Sequence, residues 1–349
     1  MAERSGVGDQ GGVVDPVLDR VGDRVQALCR LGFGQTGPRV AGLTDVNQGR
    51  GAFSIVVRAE LDWPAGGGPA DRGPATVVAK LPIDGPNGRA AAAAGAYRRE
   101  ALAYQRILAD SPIITPAMYA IDEGGDDTWA FLLEDLSGHR RFDQLVGLPA
   151  AEAVAVSKEL ATFHRLWSDK PDLADLPVRR NTIAGLPEHG LRAGLRALET
   201  IWSEDLDDGD RRLYRRLVGG RPRLAERFEA GAVTLCHGDP RADNFAFDAQ
   251  GRLVLFDWQQ MAIQFGEADL AWLSATSLET EVRRAVDRDL IGAYDGDIDR
   301  YRLGLALPGL TVLLLAQRET TSERTRRFVA TSLRRIAAAV DDLDVLGLT

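Results

Sequence analysis

HGDPRADNF, residues 237–245, stands between two short apolar runs, AVTLC at 232–236 and LVLFDW at 253–258. Pro240 interrupts any helix here, and the flanking apolar runs read as strands, so the nine residues form a loop. Asn244 follows Asp239 by five positions, and Asp257 lies thirteen further on, at the end of the strand LVLFD. Transfer of a phosphoryl group to a hydroxyl needs such a set. One carboxylate orients the hydroxyl and takes its proton; an amide and a second carboxylate offer hard oxygens to a divalent cation. A polar turn is the plainer alternative, because Gly, Asp and Asn are common in turns. The acid placed at the end of the next strand favours the chemical reading.

Outward from this loop, residues 150–169, 191–199, 211–230 and much of 268–349 carry apolar residues at helical spacing, so the β-rich stretch 233–257 is an island in a helical half. The first half differs. Residues 39–46, 54–61 (SIVVRAEL), 76–81 (TVVAKL), 114–121 and 128–133 (TWAFLL) read as strands. The Gly/Pro-rich 62–74 between the second and third reads as a hairpin loop. Val17, Leu18, Val21, Val25, Leu28 and Leu31 predict a helix from Pro16 to Gly32, and the Ala-rich 89–109 predicts another. The character changes near 134–138. The expected organisation is a flexible leader over 1–15, a β-rich lobe over 16–136 and a helical lobe over 137–349.

Composition excludes several classes. With 45% hydrophobic and 27% charged residues over 349 positions, the chain can bury a core. A formal charge of −9 disfavours a protein that grips nucleic acid through its phosphates. The two cysteines, Cys29 and Cys236, form no disulfide framework or zinc ligand set and read as reduced thiols of a cytoplasmic protein. The first sixteen residues lack the pattern of a signal peptide, and the longest apolar run, 303–316, is broken by Gly and Pro and too short to span a bilayer; no membrane partner is expected.

The motif H-G-D-x-x-x-x-N followed by a strand Asp resembles that of the aminoglycoside phosphotransferase, choline kinase and ecdysteroid-kinase-like superfamily, over residues 40–275. LLEDL, HGDPRADN and FDWQ lean toward the ecdysteroid-kinase-like branch. The resemblance implies an α+β, two-lobed protein-kinase-like fold and transfer of the ATP γ-phosphoryl group to a small-molecule alcohol. It implies Asp239 as base and Asn244 and Asp257 as Mg²⁺ ligands. Lys80, which ends TVVAK, would meet the nucleotide phosphates, and Glu100, in an E-x-x-x-Y pattern with Tyr104, would pair with it. Both are otherwise ordinary surface residues. Gly49 and Gly51, in a Gly-containing loop that departs from G-x-G-x-x-G, would cover the phosphates or simply make a hairpin turn. Backbone groups from Glu134 to Leu136, in LLEDLSG, would bond adenine; Glu134 and Asp135 are otherwise exposed acids.

The remaining polar residues have structural readings. His237 supports the loop through hydrogen bonds, and His164 is a buried packing residue. Asp269 either caps a helix or braces the catalytic loop. The acids Glu204, Asp205, Asp207, Asp208 and Asp210 are a solvated loop rather than a lining for a polycation. A protein kinase is disfavoured, since only eleven residues separate Asp257 from Asp269 and leave no room for a peptide-holding segment. A catalytically silent nucleotide-binding protein is the other competitor, against which all five expected polar residues weigh.

Overall fold

The computed structural model describes residues 16–46, 54–64, 73–125, 128–168, 170, 173, 175–317 and 322–348. The expected leader over 1–15, the glycines Gly49 and Gly51 and most of the 62–74 loop fall outside them. The chain divides into two compact units, one holding residues up to 94 together with 117–135, the other 95–116 and 136–349.

The first unit is an antiparallel sheet with one long helix packed on it and a second, short one. Helix α1 (Pro16–Phe33) precedes β1 (Arg39–Asp45), β2 (Ser54–Asp62), β3 (Thr76–Pro82), β4 (Met118–Glu123) and β5 (Trp129–Glu134), in the spatial order β1-β2-β3-β5-β4. Alternation along the strands decides what faces α1. Val57, Ala59, Val77, Ala79, Leu81 and Leu132 join Val21, Val25, Leu28 and Cys29 in one apolar core. The intervening residues Val56, Arg58, Val78 and Lys80 therefore share the opposite face, with Lys80 paired to Phe131 of β5. Asp135, just past β5, accepts hydrogen bonds from Arg58 Nε (2.6 Å) and Thr76 Oγ1 (2.8 Å), so it ties three strands together.

The Ala-rich stretch expected as one helix is two. Helix α2 (Pro86–Ala93) stops before Gly95, whose φ of 70° breaks the helical path, and α3 (Ala96–Leu102) starts afresh and runs on through a wider turn at 103–107. The break also moves a boundary. Residues 95–116 belong with the helical unit rather than with 16–136, because Arg99 of α3 donates its Nε to the Gln259 carbonyl at 2.9 Å and Ile114 bridges to Val254. That bridge also explains why β4 begins at Met118 rather than at 114.

The second unit is helical around a small β island. Helices α4 (Ala150–Ser168), α5 (Glu188–Thr200) and α6 (Asp208–Phe228) precede the island; α7 (Glu267–Ser277), α8 (Thr280–Tyr294), α9 (Ile298–Gly304), α10 (Ala306–Ala316) and α11 (Glu323–Asp342) follow it. Helix α10 is apolar nearly all round and is buried accordingly. Within the island β6 (Arg140–Arg141), β8 (Phe245–Phe247) and β9 (Leu253–Leu255) form one ribbon, and β7 (Thr234–Cys236) pairs with β10 (Ala262–Gln264). The acids at 204–210 are not simply solvated: Asp207 caps α6 by accepting from Asp210 N at 2.8 Å, and Asp205 pairs with Arg326 at 2.8 Å. No helix among the described residues is long and apolar enough to cross a membrane.

Candidate active site

Strand β7 delivers the loop 237–244, and β9 delivers Asp257. The two are stitched by Phe256 N donating to the Asn244 carbonyl at 3.0 Å. Gly238 makes the sharp entry possible: its φ is +82°, and a Cβ there would lie 2.1 Å from the Gln260 carbonyl oxygen. Gly238→Ala therefore faces both backbone strain and a clash with main chain. We expect it to cost about 3 kcal/mol or more in a chemical-denaturation experiment; a loss below about 1 kcal/mol would mean that the loop can be rebuilt.

Asp239 is 6% exposed. Its Oδ1 accepts from Trp272 Nε1 at 2.8 Å, and its Oδ2 lies 3.2 Å from Asn244 Nδ2 and 3.6 Å from Arg241 Nη1. Burial, and then the charge of Asp257, pushes the Asp239 carboxyl up to about 6, against the pull of Arg241, Trp272 and Asn244. Asn244 Nδ2 also donates to the Asp239 carbonyl at 2.9 Å, so the amide nitrogen is committed and the oxygen is the end free to ligate.

Asp257 sits at φ 66°, a left-handed conformation that a non-glycine residue adopts at a cost. Gln259 Nε2 donates to its Oδ2 at 3.3 Å, while Gln259 Oε1 is buried with no partner among the described residues. Burial first, and then the charges of Glu100 and Asp257, raise the pKa of the Tyr104 hydroxyl, so α3 and the turn that follows it bring Glu100 and Tyr104 toward the corner that holds Asp257. This oxygen-rich set, with an orphaned acceptor beside it, has the donor chemistry that Mg²⁺ prefers.

A buried scaffold holds the loop from behind. Asp269 is fully buried and accepts from His237 N (2.7 Å), Gly238 N (3.0 Å), Gln264 Nε2 (3.1 Å) and His164 Nε2 (3.3 Å). It braces the loop. His164 Nδ1 meets Tyr294 Oη at 2.7 Å, so both its nitrogens are used. In His237, Nδ1 accepts from Asp239 N (3.3 Å) while Nε2 donates to the Phe256 carbonyl (3.0 Å). Burial lowers the pKa of His237 despite the nearby Asp269, which favours this neutral, structural form.

The second unit thus brings together Asp239, Asn244, Asp257 and Glu100. Lys80 and Glu134 lie in the first unit; Glu134 Oε2 accepts from Ala117 N at 3.1 Å. Leu136 begins the later segment of the second and packs with Ala246 and Val254. Sequence reasoning missed Trp272 and Arg241 as neighbours of Asp239. A signal existed for Arg241, a cation inside the motif itself; a tryptophan on a helix gives none.

A sequence profile described as "Phosphotransferase enzyme family" matches residues 73–303. No curated protein matches the chain in sequence. Among solved structures, the GDP complex of an aminoglycoside 2'-phosphotransferase is similar over 92% of this chain and 98% of that one, at 14% identity and a TM-score of 0.58. A choline/ethanolamine kinase family protein from Mesorhizobium loti is similar over 93% and 98%, at 18% identity and 0.55. An amicoumacin kinase in complex with AMP-PNP, Ca²⁺ and Ami is similar over 90% and 92%, at 12% identity and 0.53. The fold is that of these kinases: α+β, with a β-sheet N-terminal region and a helical C-terminal region.

Proposed function

The chain belongs to the phosphotransferase enzyme family, and on that premise we propose that it is a cytoplasmic, ATP- and Mg²⁺-dependent kinase that phosphorylates a hydroxyl of a small molecule. The supporting observation is the Asp239 carboxylate, buried beside Asn244 and Asp257 with a carboxyl near pH 6. A base poised there is ionised at neutral pH yet basic enough to accept a hydroxyl proton as the bond to phosphorus forms. Trp272 fixes the plane of the carboxylate through Oδ1.

Asn244 and Asp257 would hold the metal, which when bound neutralises charge on the nucleotide phosphates. The nucleotide and the divalent ion named for similar structures, GDP in one and AMP-PNP with Ca²⁺ in another, agree with that assignment. Lys80 would reach the phosphates with Glu100 fixing its ammonium, the backbone at 134–136 would take adenine, and Gly49 and Gly51 would approach the phosphates. Lys80→Ala should raise the ATP KM about tenfold or more, since a charge-assisted contact to phosphate is lost. An unchanged KM and kcat would remove Lys80 from the site.

The test is Mg²⁺-dependent consumption of ATP, followed by phosphorus NMR with alcohols offered as acceptors. A phosphate ester that forms with wild type, and not with Asp239→Ala, supports the reading. ATP left intact in every mixture, or hydrolysis that Asp239→Ala retains, counts against it.

A further inference from the structure

The guanidinium of Arg241 feels the charges of Asp239, Asp243 and Asp257, yet its side chain makes no hydrogen bond among the described residues. Its Nη1 is 3.6 Å from Asp239 Oδ2, beyond hydrogen-bond reach, and this is its one ion pair among the described residues. Its Nε is buried and meets no acceptor there. Other arginines of the second unit differ. Arg99 Nε donates to the Gln259 carbonyl, Arg324 holds both oxygens of Asp143, and Arg335 donates to the Gln144 and Leu145 carbonyls. Arg283 also has an unpaired Nε, but both of its Nη groups are committed to carboxylates.

A buried N–H without an acceptor costs about 1–3 kcal/mol, so a native structure that keeps one beside its reactive carboxylate invites a ligand to supply the oxygen. Phe328 of α11 lies under the guanidinium, 5.5 Å from ring centroid to Cζ, and limits the directions in which the N–H groups can aim. The planar fork suits paired anionic oxygens, as on a phosphoryl group.

The proposed reaction brings one such anion to Asp239 in every turnover. We infer that Arg241 is a catalytic residue that binds the equatorial oxygens of the phosphoryl group while it passes from nucleotide to acceptor. This rests on the phosphotransferase reading above. In the step, the acceptor oxygen bonds to phosphorus and the bond from phosphorus to the bridging oxygen breaks. The electron pair leaves on the diphosphate, and the hydroxyl proton goes to Asp239. Arg241 exchanges no proton; it neutralises charge that is spread over the three oxygens in flight.

Titration calorimetry on the full chain tests this without an identified acceptor. Wild type, Arg241→Gln, Arg241→Lys and Phe328→Leu are titrated with MgADP alone and with MgADP plus fluoroaluminate, a mimic of the group in transfer. MgADP affinity should agree within about threefold across the four, whereas the mimic should bind Arg241→Gln about 100-fold more weakly than wild type. Lys should recover part of the loss, and Phe328→Leu should lose a few-fold. Equal mimic affinity in wild type and Arg241→Gln overturns the assignment, as does a wild type that gains nothing from fluoroaluminate. So does an Arg241→Gln that loses MgADP affinity as much as mimic affinity. A wild type that binds no nucleotide at all overturns the phosphotransferase reading itself, and the inference with it.

Discussion

Asp239→Ala is expected to lower kcat by about 10³-fold or more while leaving the affinity for magnesium nucleotide within about threefold. The asymmetry follows from what the side chain touches. Asp239 has one oxygen on Trp272 and the other toward Asn244 and Arg241, and it would meet the acceptor rather than the nucleotide. Removing it takes away the proton acceptor and leaves Asp257 in place. The same carboxyl sets a pH limb. Its pKa is raised from 3.8 to about 6, chiefly by burial, so it is charged and competent above that value. It is lost as base when pH falls through it. Plotted as kcat/KM, activity should drop tenfold per pH unit below about 6 in the metal-free state of the carboxyl, and a limb that moves lower with rising Mg²⁺ would report the cation held by Asn244 and Asp257. Turnover in the alanine variant, including slow hydrolysis with water as acceptor, is the matching kinetic measurement; retained turnover removes Asp239 from the mechanism.

Asp269→Ala should produce the largest loss of stability. The side chain is fully buried and receives four donors, two of them main-chain N–H groups of His237 and Gly238. Truncation strands all four in a fully buried site, at about 1–3 kcal/mol for each group left unmade, and opens a cavity besides. A destabilisation of about 4 kcal/mol or more is expected from urea unfolding. At temperatures where the variant stays folded, kcat should still fall, because the two N–H groups that lead into Asp239 lose their acceptor. Asp269→Asn should be intermediate: one oxygen survives, but the new NH₂ faces donors. A loss under about 1 kcal/mol in the alanine variant would show that the four groups find other partners.

How much of this was legible beforehand depends on the range of the interaction. Strands β2, β3 and β5 and the loop 237–244 were readable because alternation, β-branching and the break at Pro240 are local. Glycine 95 was not: a lone glycine in an Ala-rich stretch is compatible with an unbroken helix, and only its left-handed φ and the bond from Arg99 to the carbonyl of Gln259 show why the chain turns there. The acids at 204–210 looked solvated because Arg326, the partner of Asp205, lies 121 residues away. For Trp272 a single ring N–H decides the role, and helical periodicity cannot distinguish a buried indole from one aimed at a carboxylate. Asp269 was ambiguous in the same way, since a cap and a brace call for the same residue type at the same place.

Asn244 and Asp257 are expected to present their oxygens to one divalent ion at the nucleotide. Calorimetric titration of ATP with and without Mg²⁺, on wild type and Asp257→Asn, tests it most directly. Wild type should bind ATP about tenfold or more tightly with the ion present, and Asp257→Asn should lose that dependence. An ATP affinity indifferent to Mg²⁺ in wild type, or equally responsive to it in Asp257→Asn, would contradict the account.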